Sequence, residues 1–204
     1  MKIIGICGSP RAGGNTEQSI NVVLTECATL GAETELITLC DKTLHGCKGC
    51  YSCIEAKSCV IQDDYQAIFR AMTEADGIIL GSPSYHASIT PELKCLLDRA
   101  GFSGRWAGND MKEKSEGYTW TGCAWSGKVV APLSVARRAG QDFTFAQLLL
   151  WATCNDCLVV GNMYWNISIA GKGGAMDAID DVEGIENYKG LARRMVNTIQ
   201  KLNT

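Results

Sequence analysis

Four cysteines lie within one short segment of the sequence, GCKGCYSCIEAKSC, which begins at Gly46. Two residues separate the first cysteine from the second and the second from the third, and five residues separate the third from the fourth. Three thiolates at every third residue can curl around one centre, and a fourth that follows a longer loop can close the site, as in ferredoxin-like sequences. The predicted ligands are Cys47, Cys50, Cys53 and Cys59. Their spacing favours a [4Fe-4S] cluster held by residues 46–60.

Two other interpretations of this cysteine segment stay open from the sequence. Zinc is the leading metal alternative, although structural zinc sites more often use two separated C-x-x-C pairs. The cysteines could also be free or reversibly paired thiols that hold no metal. We expect His45, close to Cys47, to be a solvated loop residue rather than an alternative ligand.

A second segment, GSPRAGGNT at residues 8–16, has the composition of an anion-binding loop. Its small residues let backbone N–H groups approach a ligand, its polar side chains can donate hydrogen bonds, and a helix begins directly behind it. It matches neither the Walker P-loop G-x-x-x-x-G-K-[ST] nor the dinucleotide fingerprint G-x-G-x-x-G. We therefore predict a cradle for the terminal phosphate of a mononucleotide, formed by Ser9, Arg11, Gly14, Asn15 and Thr16. The competing interpretation is that Asn15 or Thr16 caps the helix.

Two later loops complete the predicted site. GSPSYHASITPELK, at residues 81–94, presents a Ser-Pro turn and then two rings able to lie beside a planar heterocycle, which predicts a flavin ring site. VARRAGQDF, at residues 135–143, places positive charge where a reduced flavin carries negative charge. The residues assigned to these loops are Pro83, Ser84, Tyr85, His86, Ala136, Arg137, Arg138 and Gly140. Because the first loop suits a single phosphate, the predicted cofactor is FMN rather than FAD.

The strands and helices predicted around these loops explain why the loops should lie close together. KIIGICGSP is a continuous apolar run, typical of a strand buried on both faces, and a helical pattern follows it. Strands and helices alternate along the rest of the chain, which gives five predicted strands, each followed by a helix. This pattern predicts a flavodoxin-like, doubly wound parallel sheet of five strands in a three-layer α/β/α domain that spans residues 1–204. Ligands of such sheets bind beyond the carboxyl ends of the strands.

The segment from Gly101 to Gly127 departs from this pattern. Its length without a clear period predicts an insertion that is functional or contacts another subunit, with a floppy surface insertion as the alternative. Its tryptophans offer large apolar side chains for an interface; they are Trp106, Trp120 and Trp125.

Six of the cysteines outside this segment are predicted to be core residues. Cys154 and Cys157 form a further C-x-x-C between apolar stretches, and we predict buried thiols there rather than a thioredoxin-like pair. The same expectation applies to four cysteines on apolar faces, which are Cys7, Cys27, Cys40 and Cys95.

Composition excludes several classes of partner. The chain of 204 residues has a net charge of -3 at pH 7, so it has no basic field for nucleic acid or an anionic membrane. Its first apolar run is too short for a signal peptide, and no stretch approaches the roughly 18 apolar residues of a membrane span. We therefore expect a cytoplasmic chain, in which eleven cysteines would be thiols, metal ligands or redox groups.

Taken in order, GSPRAGGNT, GSPSYHASITPELKCLLDR and GKVVAPLSVARRAG resemble the NADPH-dependent FMN reductase-like flavoproteins of flavodoxin fold. With CKGCYSCIEAKSC added, the chain is similar to the iron-sulfur flavoprotein branch of that group. The resemblance implies FMN at the three loops, a [4Fe-4S] cluster on the cysteine motif, and electron transfer between them in a homo-oligomer. It covers the chain except the tryptophan-rich insertion.

The leading hypothesis is an FMN-dependent electron-transfer oxidoreductase in which the cofactors carry the chemistry and no side chain is assigned as catalytic. Its partners would be a donor such as ferredoxin or NAD(P)H and a small-molecule or protein acceptor, and its assembly a homodimer or homotetramer. The alternative is a cluster-free NAD(P)H-dependent reductase of flavin, quinone or another small acceptor. A third hypothesis, from another class, is a zinc-stabilised binding module with a regulatory, nucleotide-like ligand.

Overall fold

The centre of the molecule is a six-stranded sheet, seen in a computed structural model that describes residues 1–107, 122–171 and 177–203. The strands are β1 (Lys2–Cys7), β2 (Glu33–Thr38), β3 (Gly77–Pro83), β4 (Val129–Ala136), β5 (Leu158–Val159) and β6 (Ile167–Ile169). Every pairing among them is parallel. Their order is β2-β1-β3-β4-β5, with β6 also paired to β4, and this is the order of flavodoxin-like sheets.

Helices cover both faces of the sheet. They are α1 (Asn15–Thr29), α2 (Cys53–Ala56), α3 (Tyr65–Glu74), α4 (Pro91–Ala107), α5 (Gln141–Cys154) and α6 (Val182–Leu202). Successive side chains of β1 point to opposite faces, so Ile3 packs in the core beneath α1 and α6 while Ile4 packs beneath α3, α4 and α5. The predicted three-layer α/β/α fold is therefore confirmed. No helix of the described ranges is both long and apolar enough to cross a membrane.

The last predicted strand is divided in two. The sequence predicts one strand over residues 157–165, but β5 pairs with the beginning of β4 and β6 pairs with its end. Between them the backbone leaves the extended conformation, with φ of 57° at Tyr164 and 55° at Trp165. The side chain of Asn166 then donates to the carbonyl oxygen of Pro132 at 2.8 Å, and this bond holds the chain against β4 where the two strands are interrupted.

The boundary predicted for the tryptophan-rich insertion is wrong at its start. Helix α4 continues through Gly101 to Ala107, so Trp106 belongs to a helix. Trp125 is fully buried in the core, and its Nε1 donates to the carbonyl oxygen of Ala100 at 3.0 Å. Trp125 therefore packs inside its own chain rather than at an interface, while Trp120 lies outside the described residues.

The expectation of core positions holds for only some of the cysteines. Cys7 and Cys27 are buried, and burial raises the pKa of each thiol to about 12. Cys154, however, is exposed, because it lies at the end of α5. The remaining members of this group are partly buried, namely Cys40, Cys95 and Cys157.

Candidate functional site

A cavity of about 300 Å³ opens where β1, β3 and β4 end. Strand order reverses between β1 and β3, so the loops that follow these two strands run in opposite directions and leave a crevice between them. The predicted residues that line the crevice are Ser9, Arg11, Gly14, Asn15, Thr16, Pro83, Ser84, Tyr85, Ala136 and Arg137. The fold thus brings together three loops that are far apart in sequence.

The first loop leads into α1, whose N-cap residue supplies no side-chain hydrogen bond to the first turn. The N-cap residue of α1 is Gly14, and the side chain of Asn15 instead accepts a hydrogen bond from the backbone N–H of Ala178 at 2.7 Å. Capping by Asn15 or Thr16, the competing interpretation, is therefore wrong. Gly13, with φ of 68°, provides the left-handed turn before the helix. A helix N-terminus beside a polar loop is an arrangement that binds anions.

The second loop is a tight hairpin at the edge of the crevice. The backbone N–H groups of Tyr85 and Ser88 each donate to the other residue's carbonyl oxygen at 2.9 Å. The two central residues, His86 and Ala87, adopt φ of 50° and 60°, as in the two-residue turns that join the strands of a β-hairpin. Tyr85 faces the cavity, whereas His86 is exposed at the tip and does not line it.

The third loop is held against the second. Ser84 donates its backbone N–H to Val135 at 2.7 Å, and the hydroxyl of Thr144 donates to the hydroxyl of Ser84 at 2.9 Å. Gly140 has φ of 90°, and a Cβ there would lie 3.3 Å from the hydroxyl of Ser84, so glycine permits this approach. Neither Gly140 nor Arg138 lines the crevice, and their assigned role stays a prediction.

Among the described residues, three that line the crevice were not predicted from the sequence; they are Val135, Ala170 and Asp177. Ala170 follows β6, the strand whose separate existence the sequence did not predict. A search at the end of every strand that pairs with β4 would have found Ala170. Asp177 lies beyond that strand and accepts a 3.4 Å hydrogen bond from Gln18 of α1, a contact that has no local sequence signal.

The four cysteines of the predicted metal segment line a second, smaller cavity of about 20 Å³. Positive φ values at Gly49, Tyr51 and Lys57 curl the chain around it. Burial raises the pKa of the Cys53 thiol, and the other three thiols of the segment raise it further, so the four sulfur atoms lie within electrostatic reach of one another. A hydrogen bond with Ser52 lowers the pKa of Cys50.

The donor set of this cavity fits an iron-sulfur cluster, because such clusters are held by four cysteine thiolates. The sulfur atoms have not converged, however. Across residues 1–107, 122–171 and 177–203, no three His, Cys, Asp or Glu side chains are placed to hold one metal ion. Cys47 and Cys50 are exposed, whereas Cys53 and Cys59 are partly buried.

A buried arginine, which the sequence reasoning missed, connects α4 to the cysteine segment. Arg99 donates from Nε to the sulfur of Cys59 at 3.2 Å and from a terminal nitrogen to Asp63 at 2.7 Å. It also lies over the ring of Tyr65, 4.1 Å from the centroid. The signal was available, because Arg99 follows Leu96 by three residues and so shares the apolar face of the helix.

The carboxylate of Asp63 is the centre of a small ionic cluster. It also accepts hydrogen bonds from the backbone N–H of His45 at 2.9 Å and from its ring at 3.0 Å. Burial opposes ionisation of Asp63, but the hydrogen bonds from Arg99 and His45 hold the pKa of its carboxyl well below the usual range. The ring of His45 is 59% exposed, as expected for a loop residue.

Comparison with known proteins gives consistent results. A family described as NADPH-dependent FMN reductase matches residues 1–172. An iron-sulfur flavoprotein of Methanocaldococcus jannaschii is 34% identical over 98% of both chains. One of Methanosarcina thermophila is 30% identical over 98% of this chain and 96% of its own. Among solved structures, a flavone reductase superposes with a TM-score of 0.74 at 18% identity; the match covers 100% of this chain and 64% of the reductase.

Proposed function

The chain belongs to the NADPH-dependent FMN reductase family and is a flavin-dependent oxidoreductase; on this premise we propose that it passes electrons between a [4Fe-4S] cluster and FMN. The observation that carries the proposal is the presence of two separate cavities, one lined by three polar loops and the other by four thiols. A flavin exchanges one or two electrons and a cluster exchanges one, so the pair would couple single-electron donors to two-electron acceptors.

In this proposal the crevice binds FMN by its terminal phosphate. Ser9 and Thr16 would donate hydroxyl hydrogen bonds, Arg11 would supply positive charge, and the first turn of α1 would supply backbone N–H groups. Tyr85 and the backbone around Arg137 would then lie beside the flavin ring. The volume of about 300 Å³ is at the lower end of the usual range for small-molecule sites.

The cluster half of the proposal rests on the four thiols and on the names of the relatives. Both relatives carry iron-sulfur in their names, and each aligns with 98% of this chain. Cys47, Cys50, Cys53 and Cys59 would be the ligands.

Anaerobic purification followed by cofactor analysis tests both halves. We expect FMN in the extracted cofactor and about four irons with matching sulfide per chain. Replacing Cys53 with alanine should remove or convert the cluster and leave FMN in place, because Cys53 does not line the crevice. The matched control is Cys154→Ala, an exposed cysteine outside the segment, which should keep both cofactors.

Each possible failure identifies a different error. Recovery of FAD, or no flavin uptake after reconstitution with FMN, would contradict the assignment of the crevice. Stoichiometric zinc with negligible iron after anaerobic reconstitution would contradict the cluster and favour the zinc-stabilised module.

A cluster-free NAD(P)H-dependent reductase of flavin, quinone or another small acceptor is the second candidate. It is favoured by the absence, in the parts of the chain that the structure describes, of three side chains converging on one metal position. A protein that holds FMN without iron and is reduced directly by NAD(P)H would establish this candidate.

The proposal extends to partners and setting. The donor would be ferredoxin or NAD(P)H, the acceptor a small molecule or a protein, and the working unit a homodimer or homotetramer. The cytoplasm is the proposed location because a reducing compartment keeps cysteines out of disulfides, and none of the eleven cysteines forms a disulfide in this structure. No side chain is proposed as catalytic; the residues bind and orient the cofactors.

A further inference from the structure

We propose that Arg99 is the positioning residue of the cysteine segment and that its guanidinium sets the electrostatic environment of Cys59 as a cluster ligand. This inference rests on the proposed function, because it assigns a role in tuning the same thiol site. The first observation is that the Arg99 side chain is 0% exposed although it belongs to a surface helix. A buried charge is retained at a cost in desolvation, so its contacts indicate what it does.

The contacts of Arg99 join both ends of the cysteine segment. One terminal nitrogen donates to the backbone carbonyl of His45 at 3.1 Å, just before the first cysteine. The other terminal nitrogen donates to the carbonyl of Ile61 at 2.9 Å, just after the last. A single planar group thus fixes the separation of the two ends, and α4 holds that group in place.

The third donor of the same group reaches a thiol directly. Nε of Arg99 donates a hydrogen bond to the sulfur of Cys59 at 3.2 Å. Because the guanidinium is permanently charged, this sulfur has a positively charged donor. The ring of Tyr65 and the carboxylate of Asp63 hold the guanidinium in its plane. Within the described residues, Cys59 is therefore the one cysteine of the four whose sulfur accepts a hydrogen bond from Arg99.

Electrostatics determine the expected effect of this contact. A cluster on four thiolates is negatively charged, and accepting an electron from the proposed donor makes it more negative. An N–H donor with full positive charge at a ligand sulfur stabilises the reduced state more than the oxidised state, and hydrogen bonds to the sulfurs are a known control of cluster potential. The guanidinium itself stays protonated and exchanges no electron or proton.

The test is a potentiometric titration of the anaerobic, cluster-loaded protein, monitored by electron paramagnetic resonance. Arg99→Lys keeps a positive charge near Asp63 but loses the planar donor to Cys59, and its cluster midpoint should fall. For this one-electron couple, a fall of about 59 mV corresponds to a tenfold lower ratio of reduced to oxidised cluster at a fixed solution potential. Arg193→Gln is the matched control, because Arg193 forms an exposed ion pair with Glu26 elsewhere and its loss should leave the midpoint unchanged.

A second variant separates this role from a general effect on folding. Arg99→Gln combined with Asp63→Asn removes both charges of the buried pair, so neither charge is left buried and unpaired. Its midpoint should also fall, because this variant too lacks the charged donor to Cys59, and iron and sulfide per chain should decrease in both variants. Tyr65→Phe keeps the ring under the guanidinium and should match the wild type.

The outcomes separate the inference from its premise. If the wild-type chain takes up no iron and sulfide, the proposed function fails, and this inference fails with it. If the wild type carries a cluster but both Arg99 variants have its midpoint and its iron content, the inference alone is overturned. Lower midpoints in both variants with an unchanged control support it.

Discussion

Among the crevice residues, Thr16 is the one whose replacement should affect FMN affinity most directly. It is 2% exposed, it lines the cavity, and it lies in the first turn of α1. A hydrogen bond to a charged partner contributes about 1.5–3 kcal/mol, so Thr16→Ala should weaken FMN binding by roughly one to two orders of magnitude. Flavin fluorescence quenching on titration of the apoprotein measures the dissociation constant.

Thr29→Ala is the control for this change, since Thr29 lies at the other end of the same helix and its hydroxyl donates to Glu26. It should leave FMN affinity unchanged. Equal affinity in the two variants would show that the phosphate does not contact Thr16.

Asp63 should make stability depend on pH. Its folded pKa lies below its usual value, so its stabilising effect is present above the unfolded pKa of about 3.9 and is lost as pH falls through the folded pKa. Removing one partner of a buried pair costs about 3–5 kcal/mol. In urea unfolding of the cluster-free chain at pH 7, the free energy of unfolding of Asp63→Asn should therefore be several kcal/mol lower than that of the wild type. The difference between the two free energies should become smaller below about pH 4.

Asp98→Asn is the comparison for the pH series, because Asp98 pairs with Lys94 on the exposed side of α4. Its loss should change the free energy of unfolding by less than about 1 kcal/mol. A constant difference between wild type and Asp63→Asn from pH 7 to pH 3 would contradict the proposed ionic role.

Among the elements, α4 depends on a glycine that accommodates a tryptophan. A Cβ at Gly104 would overlap the ring of Trp125. Gly104→Ala should therefore lower the free energy of unfolding by about 1–3 kcal/mol, measured by urea titration. Gly161→Ala, where a Cβ meets nothing within 4 Å, should stay within about 0.5 kcal/mol of wild type. If both variants are equally stable, α4 and Trp125 do not pack as described.

The same helix shows where sequence reasoning reaches its limit. The strands β1, β3 and β4 were predictable because each is an apolar run buried on both faces. The end of α4 was not, because its glycines have low helix propensity and only contacts with distant residues favour the helical state. Trp125 is one such contact, and Trp151, whose Nε1 donates to Leu97 at 2.8 Å, is another.

The candidate sites divide in the same way. Ten crevice residues could be anticipated because the carboxyl ends of parallel strands meet at one edge of a sheet, whatever the details of packing. Arg99 could not be assigned a role, because its partners His45 and Cys59 are 54 and 40 residues away in sequence. A local pattern records that a charge occupies an apolar face, and only the fold shows what it contacts.

At the scale of the whole molecule, we predict a homo-oligomer in which the cluster of one subunit serves the flavin of another. The cysteine segment follows β2 at one edge of the sheet, and its cavity shares no described lining residue with the crevice. Exposed aromatic side chains are available for an interface; they include Tyr51, Phe143 and Trp165. Light scattering at micromolar concentration should give at least a dimer.

Mixing two defective subunits tests the route of the electrons. A Thr16→Ala chain stripped of its weakly bound flavin and a Cys53→Ala chain that lacks the cluster should regain cluster-dependent flavin reduction when they assemble together. A monomer in light scattering, or mixed assemblies no more active than either parent, would show that each chain works alone.

The all-parallel sheet also constrains the order in which the molecule can be built. Each strand can reach its partner only through an intervening helix, so no pairing forms from a local hairpin, and closing such long connections slows folding. The crevice requires the ends of β1, β3 and β4 in register, so it forms only after these three strands have paired. We therefore expect a ligand of the crevice to bind after this part of the sheet has assembled, so that cofactor uptake is a late step in the maturation of this protein.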